Sequence, residues 1–350
     1  MVNGWKLGEK EFLKVLHKKL GNIGHDWRDD CIERKIAPDL SLVYSIDSMS
    51  RWLSHNRADD AKAYGKWAAA IIANDVIACG VSPKGLSLDI GINIFEDEEE
   101  VFKFIDGVLE VCSHYNMKYE GGNMSKSNYV CGMSWGVSAP DAIIHRDGAK
   151  NNSILLATAS IGLGWAAELV QRIESLKQAD FPMKLQKILE CYKETPTINL
   201  EAFQEIWSHN LIECGMDLSD GIIEFGYEIF ERTGLGVVFN PQPPHKAVEF
   251  VASLMNIEPQ DIMFDPGYDT PFSHGWCIKR ENINELLKIL EKYKVAYTIL
   301  GDVNDKVSGV YRKYGNNLVK LPRYWDDKMQ HESSYHLWLR NILNCDQKSW

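Results

Sequence analysis

The chain has no C-x-x-C pair, no internal repeat and no low-complexity segment. Its eight cysteines (31, 79, 112, 131, 191, 214, 277 and 345) are scattered among apolar neighbours. That spacing excludes a cysteine zinc site and a dense disulfide framework, and the thiols read as core residues of a reducing compartment. No apolar run approaches the roughly 18 residues of a membrane span; the longest notable one, Trp67 to Ala73, is cut by Asn74-Asp75. The N-terminal residues show no signal-peptide core, so the expected location is cytoplasmic. Basic residues are in the minority, 38 against 49 acids, for a net charge of −11. A nucleic-acid binder would normally carry a basic face, so that class is set aside. A nucleotide ligand stays open, because metal ions can bridge its phosphates to carboxylates. At 350 residues, the prior is about two domains.

The most informative stretch is Cys214-Gly215-Met216-Asp217-Leu218-Ser219-Asp220-Gly221-Ile222-Ile223. Two carboxylates and a hydroxyl precede a glycine and an apolar periodic run that ends at Thr233-Gly234. The pattern predicts a loop feeding a helix, with Ser219 or Asp220 as N-cap. Such a stretch is also what an ordinary helix cap looks like. Hard divalent cations take carboxylate oxygens, and a helix N-terminus favours anions, so the same residues suit a metal-phosphate site.

Other acids recur in comparable settings. Asp29-Asp30 sits in a polar segment, and a short strand, Leu42 to Ile46, delivers Asp47-Ser48 into a loop. A long small-residue helix from Asp59 to Gly80 carries Asn74-Asp75 inside its apolar run. A buried carboxylate there needs a metal or a charge partner; otherwise the helix turns it to solvent. Glu96 to Glu100 reads as the solvated first turn of a further helix. Gly121-Gly122-Asn123 reads as a turn before a strand at Val130 to Val137. The polar segment Arg146 to Asn152 reads as a hinge, with a domain boundary between 1–148 and 149–350. Asp269 lies in a Pro/Gly turn after Phe264. The remaining strands and helices complete an α+β pattern. Taken together, the acids and Arg146 suggest a Mg-nucleotide site in which carboxylates hold metals and metals hold a triphosphate.

This ordered series resembles the superfamily of ATP-using enzymes built on the aminoimidazole ribonucleotide synthetase (PurM-like) fold, and most closely the thiamine-monophosphate kinases. The family's L-G-E-x-x-[LI] opening is met by Leu7-Gly8-Glu9, its G-D-D-[AC] by Arg28-Asp29-Asp30-Cys31, and its T-D-T-L by Ile46-Asp47-Ser48-Met49. The acid before A-x-G-x-x-P is Asp75, ahead of Ala78-Cys79-Gly80-Val81-Ser82-Pro83. G-G-D-T becomes Gly121-Gly122-Asn123-Met124, and R-S-G-A becomes Arg146-Asp147-Gly148-Ala149. D-I-S-D-G-[LI] appears as Asp217-Leu218-Ser219-Asp220-Gly221-Ile222, and G-G-E-D-Y-E as Pro266-Gly267-Tyr268-Asp269-Thr270-Pro271.

The resemblance implies a homodimer in which ferredoxin-like N-terminal domains form an interface barrel, each flanked by a C-terminal α/β domain. It implies ATP in the cleft between the domains. Magnesium ions would sit on Asp30, Asp47, Asp75, Asp217 and Asp220, with Asp29 beside them. Ser219, Arg146 and the Gly121-Gly122-Asn123 segment would contact nucleotide, and Asp220, Arg146 and Asp47 would bear most directly on transfer. The acceptor side would fall to Arg28, Ser48, His55, Tyr268 and Asp269. This chain departs from the family there. Asn123 replaces an acid, Arg28 a glycine and Tyr268 a glutamate, and Ser50 to His55 lacks the usual V-E-G-V-H-F. ATP use with an altered small-molecule acceptor is the expectation. The alternatives are a ligase that activates an amide or carboxylate oxygen as a phosphate, and a non-catalytic nucleotide binder.

Overall fold

The computed structural model describes residues 15, 16, 18, 19, 29–50, 60–173, 176, 178–194, 198–264, 272–321 and 323. The Leu7-Gly8-Glu9 motif, Arg28, His55, Tyr268, Asp269 and the tail from Tyr324 lie outside the described residues.

The first part of the chain builds a five-stranded sheet. In chain order it runs β1 (Ile32–Ala37), β2 (Leu40–Ser50), α1 (Ala61–Ala78), β3 (Pro83–Gly91), α2 (Glu98–Tyr115), β4 (Lys118–Ser125) and β5 (Tyr129–Ser138). The spatial order is β1-β2-β5-β3-β4. Both helices start on aspartates: Asp60 accepts from the Ala63 N–H at 2.6 Å, and Asp97 from the Glu100 N–H at 2.9 Å. Each cap satisfies a donor that the first turn leaves open. Glu98, Glu99 and Glu100 then sit in the first turn of α2, as the acidic run suggested.

α1 is buried nearly all round, as its small apolar composition requires. It packs closely on α2 because Gly65 and Gly107 face the other helix. A Cβ on Gly65 would lie 1.9 Å from the Phe104 carbonyl oxygen, and one on Gly107 2.0 Å from that of Lys62. Two helices thus cover one face of a mixed sheet. The βαβαββ order of elements after β1 differs from the βαββαβ order of a ferredoxin-like unit, although the layering is alike.

The opposite face of this sheet has no covering element among the described residues. Leu42↔Val137, Tyr44↔Trp135 and Ile46↔Met133 are direct cross-strand partners there. Ile46 is 64% exposed.

The second part forms a seven-stranded sheet ordered β12-β11-β8-β10-β6-β9-β7. Its elements are β6 (Ile154–Ala157), α3 (Leu163–Arg172), α4 (Met183–Glu194), α5 (Leu200–Ser208), β7 (Ile212–Asp217), α6 (Gly221–Thr233), β8 (Gly236–Phe239), α7 (Lys246–Met255), α8 (Pro259–Met263), β9 (His274–Ile278), α9 (Ile283–Lys292), β10 (Thr298–Asn304), β11 (Val310–Tyr314) and β12 (Asn317–Lys320). A core of Leu155, Met216, Phe225, Phe239 and Val251 binds α3, α6 and α7 to this sheet. A second core joins the two sheets: Ala69, Ile72 and Leu88 of the first pack with Phe203, Leu156 and Trp276 of the second. Trp67 and Phe272 meet in the same layer, ring centroids 4.9 Å apart. Burying these rings fixes α1 between the sheets and brings its C-terminal turn to the end of β7.

Candidate metal and phosphate site

Three carboxylates converge where the two sheets meet. Asp30 precedes β1, Asp75 lies in the last turn of α1, and Asp217 is the last residue of β7. One oxygen from each lies within 4.8 Å of the others. Local contacts hold them there. Ser45 on β2 donates to Asp75 Oδ2 at 2.5 Å. Asn74 Nδ2 donates to Asp217 Oδ2 at 3.1 Å, and Ser219 Oγ to Asp217 Oδ1 at 3.0 Å. The apolar run of α1 therefore does not send Asp75 to solvent. Asp75 and Asn74, consecutive residues, serve two ends of one site.

Burial and mutual repulsion dominate the electrostatics. Asp75 is pushed well above the usual carboxylate range by burial first, then by the charges of Asp217, Asp47 and Asp30. Asp217 is pushed up to about 8 by burial, then by Asp30 and Asp220. Asp30 is raised by burial, against the opposing pull of Arg146. Carboxylates that resist ionisation together form a site short of positive charge. Their oxygen donors and spacing fit a hard divalent cation. Beside them Asn74 Oδ1 is a buried acceptor with no hydrogen-bond partner.

Arg146 is the neighbouring cation. It is only 13% exposed, donates to Asp30 through Nη2, and places Nη1 3.5 Å from Glu228 Oε2. Its Nε is buried without a hydrogen-bond partner, a donor available to a ligand. The hinge expected at Arg146 is thus a packed ion-pair segment. Asp29 is oriented away from the triad: it accepts from the Arg146 N–H at 3.0 Å and pairs with His145 Nδ1 at 2.9 Å.

Several expectations need correction. Asp47 and Ser48 are not in a loop; both lie within β2, which continues to Ser50. Alternation then turns Asp47 to the helix side, where its charge acts on Asp75, and leaves Ser48 exposed on the other face. Gly121-Gly122-Asn123 is not a turn but part of edge strand β4. Gly122 is required by close approach: its Cβ would lie 1.8 Å from the Leu88 carbonyl oxygen. Asn123 donates to Asp89 at 3.2 Å. The pairing Asp47↔Gly132↔Leu88 puts Asp47 on the Leu88 side, whereas Asp89 and Asn123 point to the reverse. One copy of the chain therefore does not bring Asn123 to the acidic triad. Asp220 occupies the N-cap position of α6 but makes no side-chain cap bond.

The residues missed by sequence reasoning are Ser45, His145, Glu228 and His274. His274 sits opposite Asp217 in the β7–β9 register and packs edge-on against Phe203 at 5.1 Å. Burial pushes it down to about 3, so it is a neutral ring behind the site.

A family model described as AIR synthase related protein, N-terminal domain, matches residues 28–139. The thiamine-monophosphate kinase of Aquifex aeolicus (strain VF5) is 26% identical over 233 residues, 63% of this chain and 73% of that protein. Among solved structures, AaThiL complexed with AMPPCP and TMP is similar with a TM-score of 0.71 at 20% identity, over 89% of this chain and 96% of its own. The HypE–HypF complex is similar with a TM-score of 0.66 at 18% identity, over 89% and 99%. These structural likenesses establish a shared fold.

Proposed function

We propose that this chain, a thiamine-monophosphate kinase-like member of the aminoimidazole ribonucleotide synthetase superfamily, is an ATP- and magnesium-dependent phosphotransferase with a small-molecule acceptor. One observation carries the reading: Asp30, Asp75 and Asp217 offer three oxygens within 4.8 Å of one another beside a buried arginine. Magnesium, when bound, supplies charge neutralisation for phosphate oxygens. Asp30, Asp75 and Asp217 would hold it, with Asp47 and Asp220 adding negative charge from either side. Arg146 would offer its unpartnered Nε to a phosphate oxygen. Ser219 and Asn74 keep Asp217 in its orientation. Such a site positions and screens charge, and phosphoryl transfer needs little covalent help beyond that.

In this reading residues 1–148 form the ATP/Mg-binding and dimerisation unit of a cytoplasmic homodimer, and the flanking unit, 149–350, completes the triad with Asp217. No described helix is long and apolar enough to cross a membrane. The uncovered face bearing Ile46, Met133 and Trp135 would meet its copy, since an exposed apolar patch of this kind marks an interface. Ile46→Glu is then expected to yield a monomer in light scattering at concentrations where the unaltered protein is dimeric; an unaltered protein that is already monomeric contradicts the pairing.

The acceptor side is where the chain departs from the family, at Arg28, Tyr268 and the Ser50–His55 segment, and an acceptor other than thiamine monophosphate follows from that. The test is mass spectrometry of a reaction with Mg-ATP and thiamine monophosphate. ADP with thiamine diphosphate, both lost in Asp220→Asn, identifies the standard acceptor. ADP formation with that acceptor untouched supports the altered one. No consumption of ATP with any phosphate, acid or amine offered contradicts the phosphotransferase. A second reading, activation of an amide or carboxylate oxygen for displacement by nitrogen, would use the same carboxylates and arginine and would differ in releasing free phosphate with the joined product.

A further inference from the structure

The buried charge around Arg146 extends beyond the site. Glu228, two turns into α6, receives three guanidinium groups. Arg232 donates to its Oε2 from Nε at 2.9 Å and from Nη2 at 2.7 Å. Arg146 Nη1 approaches the same oxygen at 3.5 Å, and Arg323 Nη2 approaches Oε1 at 3.4 Å. Arg323 in turn clamps Glu224 through two nitrogens, at 3.0 and 2.5 Å, and Glu231 at 2.5 Å. Glu224 and Glu228 are among the few buried polar residues, 1% and 7% exposed. A carboxylate this deep, with Arg232 and Arg323 already locked on it, cannot swing to solvent; its position is fixed by the helix and by two other arginines.

Asp30 is differently placed. It is both a pair partner of Arg146 and one of the three triad carboxylates. Arg146 and a cation at the triad would share the single negative charge of this carboxylate, so occupation of the triad weakens its hold on Arg146. The charges of Asp30, Glu228 and Asp217 all act on the buried Arg146 guanidinium, and drawing off the nearest of them is costly. We infer that Glu228 is a positioning residue: anchored by Arg232 and Arg323, it keeps the Arg146 guanidinium at the site when Asp30 is committed to a cation, so that Arg146 remains a phosphate partner. This rests on the phosphotransferase reading and assigns a role in it to a residue that touches neither the cation nor the reacting atoms.

The experiment is calorimetric titration of the full chain with ATP and, separately, with adenosine, both with magnesium. It uses the unaltered protein, Glu228→Gln, Arg146→Met and the double variant. Glu228→Gln is expected to weaken ATP binding about tenfold, the scale of one charge-assisted contact, and to leave adenosine binding unchanged. The double variant is expected to bind ATP no more weakly than Arg146→Met alone, because both act through one guanidinium. Equal weakening of ATP and adenosine, additive losses, or unchanged ATP binding in Glu228→Gln each overturn the role. Should Glu228→Gln fail to fold, Glu228→Asp keeps the charge and retracts it by one methylene; selective weakening of ATP is again expected, and unchanged ATP binding there overturns the role. Absence of ATP binding in the unaltered protein overturns the phosphotransferase reading itself, an outcome distinct from binding that ignores Glu228.

Discussion

Asp75→Asn is expected to lower magnesium-dependent ATP turnover by about a thousandfold or more while raising the melting temperature of the metal-free protein. The two effects have one cause. In the folded chain burial first, and then the charges of Asp217, Asp47 and Asp30, oppose ionisation of Asp75. An asparagine keeps an oxygen for the Ser45 hydroxyl and turns its NH₂ toward the remaining carboxylates, without the cost of holding a proton on a buried acid. A gain of roughly 1 kcal/mol or more is the expected scale for removing a buried carboxyl whose ionisation the fold opposes. The same change removes one of three anionic ligands. Scanning calorimetry with and without magnesium, alongside ATP turnover, checks both. A variant that melts lower without metal, or turns over normally, contradicts the assignment of Asp75. Loss of function with gain of stability is the signature of a site that trades one for the other.

The second large effect is in pH. Asp30, Asp75 and Asp217 all have folded-state values raised above their unfolded ones. Above the unfolded value near 3.8 the folded form therefore binds more protons than the unfolded form, and stability falls as pH rises until the folded groups have ionised, at about 8 for Asp217. Magnesium acts in the opposite sense, because it must displace those protons to bind. Its apparent affinity is expected to rise about tenfold per pH unit for each proton displaced, from pH 6 to pH 8. Calorimetry in buffers of different ionisation enthalpy measures the proton release directly. Affinity that is flat over this range, with no proton released, contradicts the convergence of ionisable carboxylates on the cation.

Part of this site was legible in the chain and part was not, for physical reasons. The Asp217 to Gly221 stretch was readable because strand end, cap and helix start are local; the helix begins at Gly221 and ends at Thr233 as the apolar period implied. The α1 acid was readable because a carboxylate inside an apolar run demands a partner. Strand β2 was cut short because its buried face alternates Ser41, Ser45 and Asp47 with Val43, and polar residues there hide the period. Gly121-Gly122 suggested a turn because glycine usually does; here it admits a neighbouring backbone within a strand. Glu224, Glu228 and Glu231 recur at i, i+4 and i+7 along α6, a spacing that by itself does not tell a solvated stripe from a buried one. Their true partner, Arg323, lies 92 to 99 residues away in sequence, and no local pattern announces it.

The most direct measurement is calorimetric titration of the full chain with AMPPCP, with magnesium and with chelator, on the unaltered protein and on Asp75→Asn. Binding that requires magnesium and disappears in Asp75→Asn is the expected result. Nucleotide binding that is equally tight in chelator, or unaffected by Asp75→Asn, would contradict a metal-bridged triphosphate at Asp30, Asp75 and Asp217.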